Sequence, residues 1–209
     1  MTAPTSFPSA TVRTNRGDEY QIRPIHPDDK RVLADAFTRL SPQTRYNRFL
    51  VPADRLSNTQ LAYLTELDFH DHVAWGLLDG DEPVSVARFI RLAEDPTSAD
   101  FAVTVFDSHQ GRGIGPLMIE ILAVSARARG ISRFQFDVLA ENRPMLTVLD
   151  RMGADFTDEP GDIVHATMEI RSIPGPEVVS GDLGELLESA ARLSGQSRVL
   201  SSNDAELTQ

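Results

Sequence analysis

DFAVTVFDSHQGRGIG (Asp100–Gly115) is the stretch from which the rest of the chain can be read. It begins as an apolar strand, turns through glycines and opens directly into an amphipathic helix. Gly111, Gly113 and Gly115 stand at alternate positions, so the backbone can curl until successive N–H groups point one way. The helix adds its unpaired first-turn donors and the positive end of its dipole to the same spot. Such a turn receives anions, most often phosphate. Pro116 suits a first-turn position, where a missing N–H costs little.

Working outward, the helix carries an apolar stripe of Ile114, Leu117, Met118, Ile121 and Leu122, and stops at Arg127–Gly130. A strand follows over 134–139, then a helix over 143–151, then a hairpin of 154–157 with 163–170. Upstream, a strand is predicted over 20–25. Helices are predicted from Pro27 to Leu40, after Ser41-Pro42 through Leu50, and over 57–64. Strands over 72–78 and 83–92 flank the turn Asp79-Gly80-Asp81. This order predicts an α/β fold, α+β in detail, with helices on the faces of a mixed sheet. Residues 1–17, rich in Pro, Ser and Thr, read as a flexible tail. Residues 18–172 read as the folded domain. After the Pro174-Gly175-Pro176 break, 173–209 reads as an appendage with one possible helix over 183–193.

The chain has 209 residues, enough for one domain and its tails. It contains no cysteine, which excludes disulfides and thiolate metal sites. No secretory signal pattern opens it, and no apolar run approaches the ~20 residues of a membrane span. These features predict a cytoplasmic protein without a membrane partner. Twenty basic against 31 acidic residues give a net charge of −11, which argues against nucleic acid. The acidic balance suits a cationic substrate, though by itself it is more simply read as serving solubility.

A Walker loop requires Gly-Lys-Ser/Thr where this chain has Gly115-Pro116-Leu117. A dinucleotide fingerprint fits Gly111, Gly113 and Asp137, but Pro116 occupies its third glycine position. Gln110-Gly111-Arg112-Gly113-Ile114-Gly115 instead resembles the Gln/Arg-x-x-Gly-x-Gly pyrophosphate loop of the GNAT acetyltransferases. The resemblance continues through Phe136–Asn142 to Arg151-Met152-Gly153. Ile22-Arg23-Pro24, Leu40-Ser41-Pro42 with Arg45-Tyr46, and Asp68-Phe69 before His72-Val73-Ala74 resemble bacterial Pat-type protein lysine acetyltransferases.

The resemblance implies a GNAT fold, a mostly antiparallel sheet splayed at the cofactor site, and acetyl-CoA as cosubstrate. It assigns the main chain of Val103 and Val105 to pantetheine. It assigns Gln110, Gly111, Arg112, Gly113, Ile114 and Gly115 to the pyrophosphate. It gives Asn142 a place beside the cofactor, although Asn142 also suits a simple helix N-cap. Acetyl transfer needs a neutral amine, and lysine's pKa near ~10.4 calls for a base. The family's glutamate position is Asp100 here, one methylene shorter. The position of the general-acid tyrosine common in the family is Leu149, and Tyr46 is a weaker substitute.

His70-Asp71-His72 superficially suggests a metal clip, but no metal is assigned; His72 remains a candidate for the substrate site. His109 reads as a solvated turn residue and Trp75 as core. The acceptor implied is a lysine-bearing protein. A small amine and a noncatalytic CoA-binding role are the alternatives, since a fold hosts many acceptors.

Overall fold

The structure, a computed structural model, describes residues 8–157 and 161–192. Its strands are β1 (Ala10–Arg13), β2 (Glu19–Pro24), β3 (His72–Asp79), β4 (Glu82–Arg91), β5 (Ser98–Val105), β6 (Arg133–Leu139), β7 (Asp155–Phe156), β8 (Ile163–Glu169) and β9 (Glu177–Ser180). They form one sheet in the order β7-β8-β6-β5-β4-β3-β2-β1-β9. Every pairing is antiparallel except β5 with β6. The helices are α1 (Lys30–Arg39), α2 (Pro42–Phe49), α3 (Asn58–Thr65), α4 (Ile114–Arg127) and α5 (Arg143–Arg151), with a further helix over 183–192.

Local chemistry explains the helix starts. Ser41 caps α2 through Thr44 N–H, and Ser57 with Gln60 closes a capping box on α3. Asn142 caps α5, accepting from Met145 N–H at 3.3 Å. The sheet's two faces follow from strand alternation. Val86, Arg88 and Thr104 lie on the face covered by α1–α3, with Phe37 and Leu64 packed above them. The opposite face packs on α4, whose Leu117, Met118, Ile121 and Leu122 are fully buried. Trp75 joins the two layers, its indole N–H donating to Ser125 Oγ at 2.9 Å.

The two chain ends differ from the sequence expectation. Residues 10–13, assigned by composition to a flexible tail, form β1. Ala10 and Val12 are buried and pair antiparallel with β2. The Pro and Ser around this short alternation masked it. Residues 173–192, read as an appendage, complete the same fold: β9 pairs with β1, and Ile173, Leu183, Leu186 and Leu187 enter the main core. Residues 1–7 and 193–209, the outer parts of both expected tails, lie outside the described residues. His109 is buried, not solvated: its ring lies beside Ser108 Oγ at 2.9 Å and 3.8 Å from Asp79.

Candidate active site

β5 and β6 run parallel only from Ser98↔Arg133 to Asp100↔Gln135. Beyond that pair they separate. On the α4 face the fork is filled by rings: Phe101 lies 4.9 Å from Phe134 and 4.7 Å from Phe136, centroid to centroid. Within the fork opens a cleft of about 1010 Å³.

The hydrogen-bond phase of β5 determines what its backbone presents to that cleft. Leu92 N–H bonds to Ser98 C=O and Phe106 N–H to Val84 C=O, so even-numbered residues of β5 face β4. The main chains of Val103 and Val105 therefore face the open side, while their side chains pack on the core. The Gln110 side chain spans this region, donating to Val105 C=O at 3.2 Å and to Thr44 Oγ1 at 3.3 Å.

The glycine turn sits at the mouth of the cleft. Gly111 and Gly113 adopt φ of +75° and +83°, conformations that a β-branched residue resists. A Cβ at Gly113 would also stand 2.5 Å from Asn15 Oδ1. Asn15 and Arg16, from the β1–β2 turn, line the cleft beside Gly113. Asp107 ties α2 to the other side of the turn. Its carboxylate accepts from Ser41 N–H at 2.9 Å, Ser41 Oγ at 2.7 Å and Thr44 Oγ1 at 2.7 Å. These bonds outweigh its partial desolvation and hold its carboxyl below the usual range.

Asp100 occupies the base of the fork. It is open to solvent there, yet protein surrounds much of its side chain. Desolvation lifts its carboxyl to about 6; Asp137 adds to the lift, and Arg48 opposes it. Asp137 faces it from β6 and is itself held by His165 Nδ1 at 2.5 Å.

Of the residues expected at the site, Asp100, Val103, Val105, Gln110, Gly111, Gly113, Ile114, Gly115 and Asn142 line this one cleft. Arg112 does not; it is exposed outside it. Ile114 contributes only backbone, its side chain being buried in the core. Leu149 is fully buried in the cleft wall and carries no acidic proton. His72 lies off the cleft beside Arg88, and burial with that neighbouring charge depresses its pKa to about 4. No group of three or more His, Cys, Asp or Glu suited to a metal occurs among the described residues. Asn15, Arg16, Arg48 and Asp137 also line the cleft, and sequence reading missed them as site residues. Asn15, Arg16 and Arg48 belong to no motif, and Asp137 reads from the sequence only within the dinucleotide fingerprint and the Phe136–Asn142 stretch; the β1–β2 turn, α2 and β6 bring them to the cleft.

Residues 36–154 match the Acetyltransferase (GNAT) family. The chain is 33% identical over 161 residues to the acetyltransferase Pat of Mycolicibacterium smegmatis, covering 76% of this chain. It spans 48% of the length of that relative. The GNAT domain of Streptomyces lividans PAT superposes with a TM-score of 0.73 at 30% identity, covering 78% of this chain and 99% of that domain. A Salmonella typhimurium acetyltransferase, solved with acetyl-CoA, shares the fold at a TM-score of 0.60 and 15% identity, over 72% of this chain and 94% of its own.

Proposed function

Because the chain belongs to the GNAT acetyltransferase family, we propose that it transfers acetyl from acetyl-CoA to the side-chain amine of protein lysines. The observation that carries this reading is the fork, which sets a carboxylate at its base and a phosphate-binding turn at its mouth. The unpaired main chain of Val103 suits the amide groups of pantetheine. The Gly111–Gly115 turn and the N-terminus of α4 suit the pyrophosphate. Gly113 keeps that approach free of a side chain. Asn142 is engaged as the cap of α5 and positions that helix along the cleft.

Asp100 serves as the base. Raised to about 6, it stays largely ionised at neutral pH and holds a proton better than an ordinary aspartate. It takes the proton from the lysine ammonium, directly or through a water that compensates for its short side chain. The freed amine attacks the thioester carbon; the N–C bond forms, the C–S bond breaks with its electron pair leaving on sulfur, and the second proton on nitrogen passes to the thiolate. A thiol pKa near ~8.5 makes that thiolate a fair leaving group, so the apolar Leu149 does not prevent turnover.

The test is incubation with acetyl-CoA and a cell extract, followed by mass spectrometry of proteins and metabolites. Acetylated protein lysines are expected. Acetylated small amines alone would move the acceptor to that class, and no acetylated product would remove the catalytic reading.

A further inference from the structure

We propose that Arg48 and Arg88 form a carboxylate-binding subsite on the acceptor side of the fork, filled by an acid group carried by the amine acceptor or by the donor's acyl chain. The proposal rests on the acyl-transfer reading above and goes beyond it in naming a second recognised group.

Four observations carry it. The first is the absence of matching charge. Arg88 is 4% exposed, and its guanidinium donates to Leu64 C=O at 3.2 Å and faces His72 Nε2 at 3.1 Å. Arg48, partly buried on α2, lies over the Phe49 ring at 5.0 Å. Neither has a carboxylate within 4.0 Å among the described residues. Elsewhere the fold matches such arginines, as in the two 2.8 Å bonds from Arg23 to Asp29 and the 2.7 Å bond from Arg91 to Asp71.

The second is mutual repulsion. Burial, then the charge of Arg48, pushes Arg88 down to about 9. The nearby His72 is held neutral and supplies no negative charge. The ionised Asp100 attracts Arg48, but from beyond ion-pair distance. Two guanidiniums close together in a low dielectric are costly until an anion joins them.

The third is access. Both arginines line a cavity of about 50 Å³ whose other walls include Phe37, Leu64 and Val86. Arg48 and Thr104 line this cavity and the main cleft alike. A reactant seated at Asp100 therefore has Arg48 beside it in the cleft, with Arg88 behind on the adjoining small cavity. The fourth is contrast: the whole chain carries −11, so this local positive charge runs against its general field. Guanidinium forks match carboxylates by paired hydrogen bonds.

The experiment compares reactants that differ in one acid group. In the donor arm, succinyl-CoA is set against butyryl-CoA with a lysine peptide as acceptor, and binding of each donor is also measured by competition with acetyl-CoA. In the acceptor arm, Nα-acetyl-lysine is set against its methylamide with acetyl-CoA as donor. In one arm the wild-type protein is expected to favour the acid-bearing reactant. Arg48→Gln should reduce that preference roughly ten- to a hundredfold, the range for losing a charge-assisted hydrogen bond. Using the preference ratio cancels any effect of Arg48 on Asp100. The arm that responds identifies the source of the carboxylate. Equal rates and equal binding for acid and neutral reactants in both arms would overturn the proposal, and so would a preference untouched by Arg48→Gln. Equal wild-type ratios overturn the proposal even if the variant fails to fold. Donor binding without turnover would fault the acyl-transfer reading and still report on the subsite.

Discussion

Asp100 and Gln135 are the last residues paired between β5 and β6. Ending the pairing there exposes the β5 backbone and leaves the Asp100 carboxylate at the base of the opening. The fork is kept open by bulk on its core side, where Phe101 wedges against Phe134 and Phe136. The cleft and the carboxylate at its base thus both follow from the place where one strand pairing ends.

Asp100→Asn should lower turnover by roughly 10²–10⁴-fold with little change in CoA affinity, since Asn keeps size and polarity but accepts no proton. Wild-type kcat/KM should rise with pH through about 6, where the carboxyl ionises. The mutant should recover in part at high pH, where more amine is already neutral. Stability supplies an independent check. The folded pKa is raised, so the protonated carboxyl favours folding at low pH, and that contribution is lost as pH rises through about 6. Asp100→Asn should accordingly melt slightly above wild type at pH 8 and level with it below pH ~4. A mutant as fast as wild type at neutral pH would remove Asp100 as the base.

Gly113→Val should abolish CoA binding. Its φ of +83° is hostile to a β-branched residue, and a Cβ would meet Asn15 Oδ1. A ligand that binds only the folded state stabilises it by about 2.7 kcal/mol at a hundredfold excess over Kd. Wild type should therefore show a melting shift with CoA and the mutant none. Equal shifts would take the turn out of the cofactor site.

Local chemistry made the central elements readable. Glycine spacing, the capping residues Ser41 and Ser57, and the apolar stripe of α4 each act over a few residues. The approach of Arg48 to Asp100 is different: α2 and β5 meet through tertiary packing, and no spacing records it. Arg88 reads as a polar residue in an alternating strand until α3 covers it. The same limit explains β1, where a four-residue strand is stabilised mainly by its neighbours on both sides.

Asp107→Ala should loosen α2 from the glycine turn. Three hydrogen bonds to Ser41 and Thr44 are lost, for about 1–2 kcal/mol after allowance for its exposure. The carboxyl is depressed in the folded state, so its contribution is present above the ordinary carboxylate pKa and disappears as pH falls through the folded value. The difference in Tm from wild type should be clear at pH 7 and shrink as pH falls below the ordinary carboxylate range. KM for the acceptor should rise as α2, which carries Arg48, becomes less fixed. An unchanged Tm and KM at pH 7 would show that the contact positions nothing.

Deleting 173–209 should unfold the protein, although the Pro174-Gly175-Pro176 break reads as a domain edge. The segment fills two roles in the described structure. β9 covers the outer edge of β1, with Val12 opposite Val178 and Arg13 opposite Glu177. Ile173, Leu183, Leu186 and Leu187 are buried in the main core. At about 1.5–3 kcal/mol for each large apolar side chain, their burial is comparable to the 5–15 kcal/mol that holds a typical domain folded. Losing β9 would also free β1, and with it the turn that brings Asn15 and Arg16 to the cleft. A milder variant separates the two effects. Leu187→Ala should cost about 2–5 kcal/mol and lower Tm while leaving CoA affinity intact in the folded fraction. Circular dichroism and CoA titration of both variants would check this. A truncated chain that melts cooperatively near the wild-type Tm would show the segment to be a dispensable appendage.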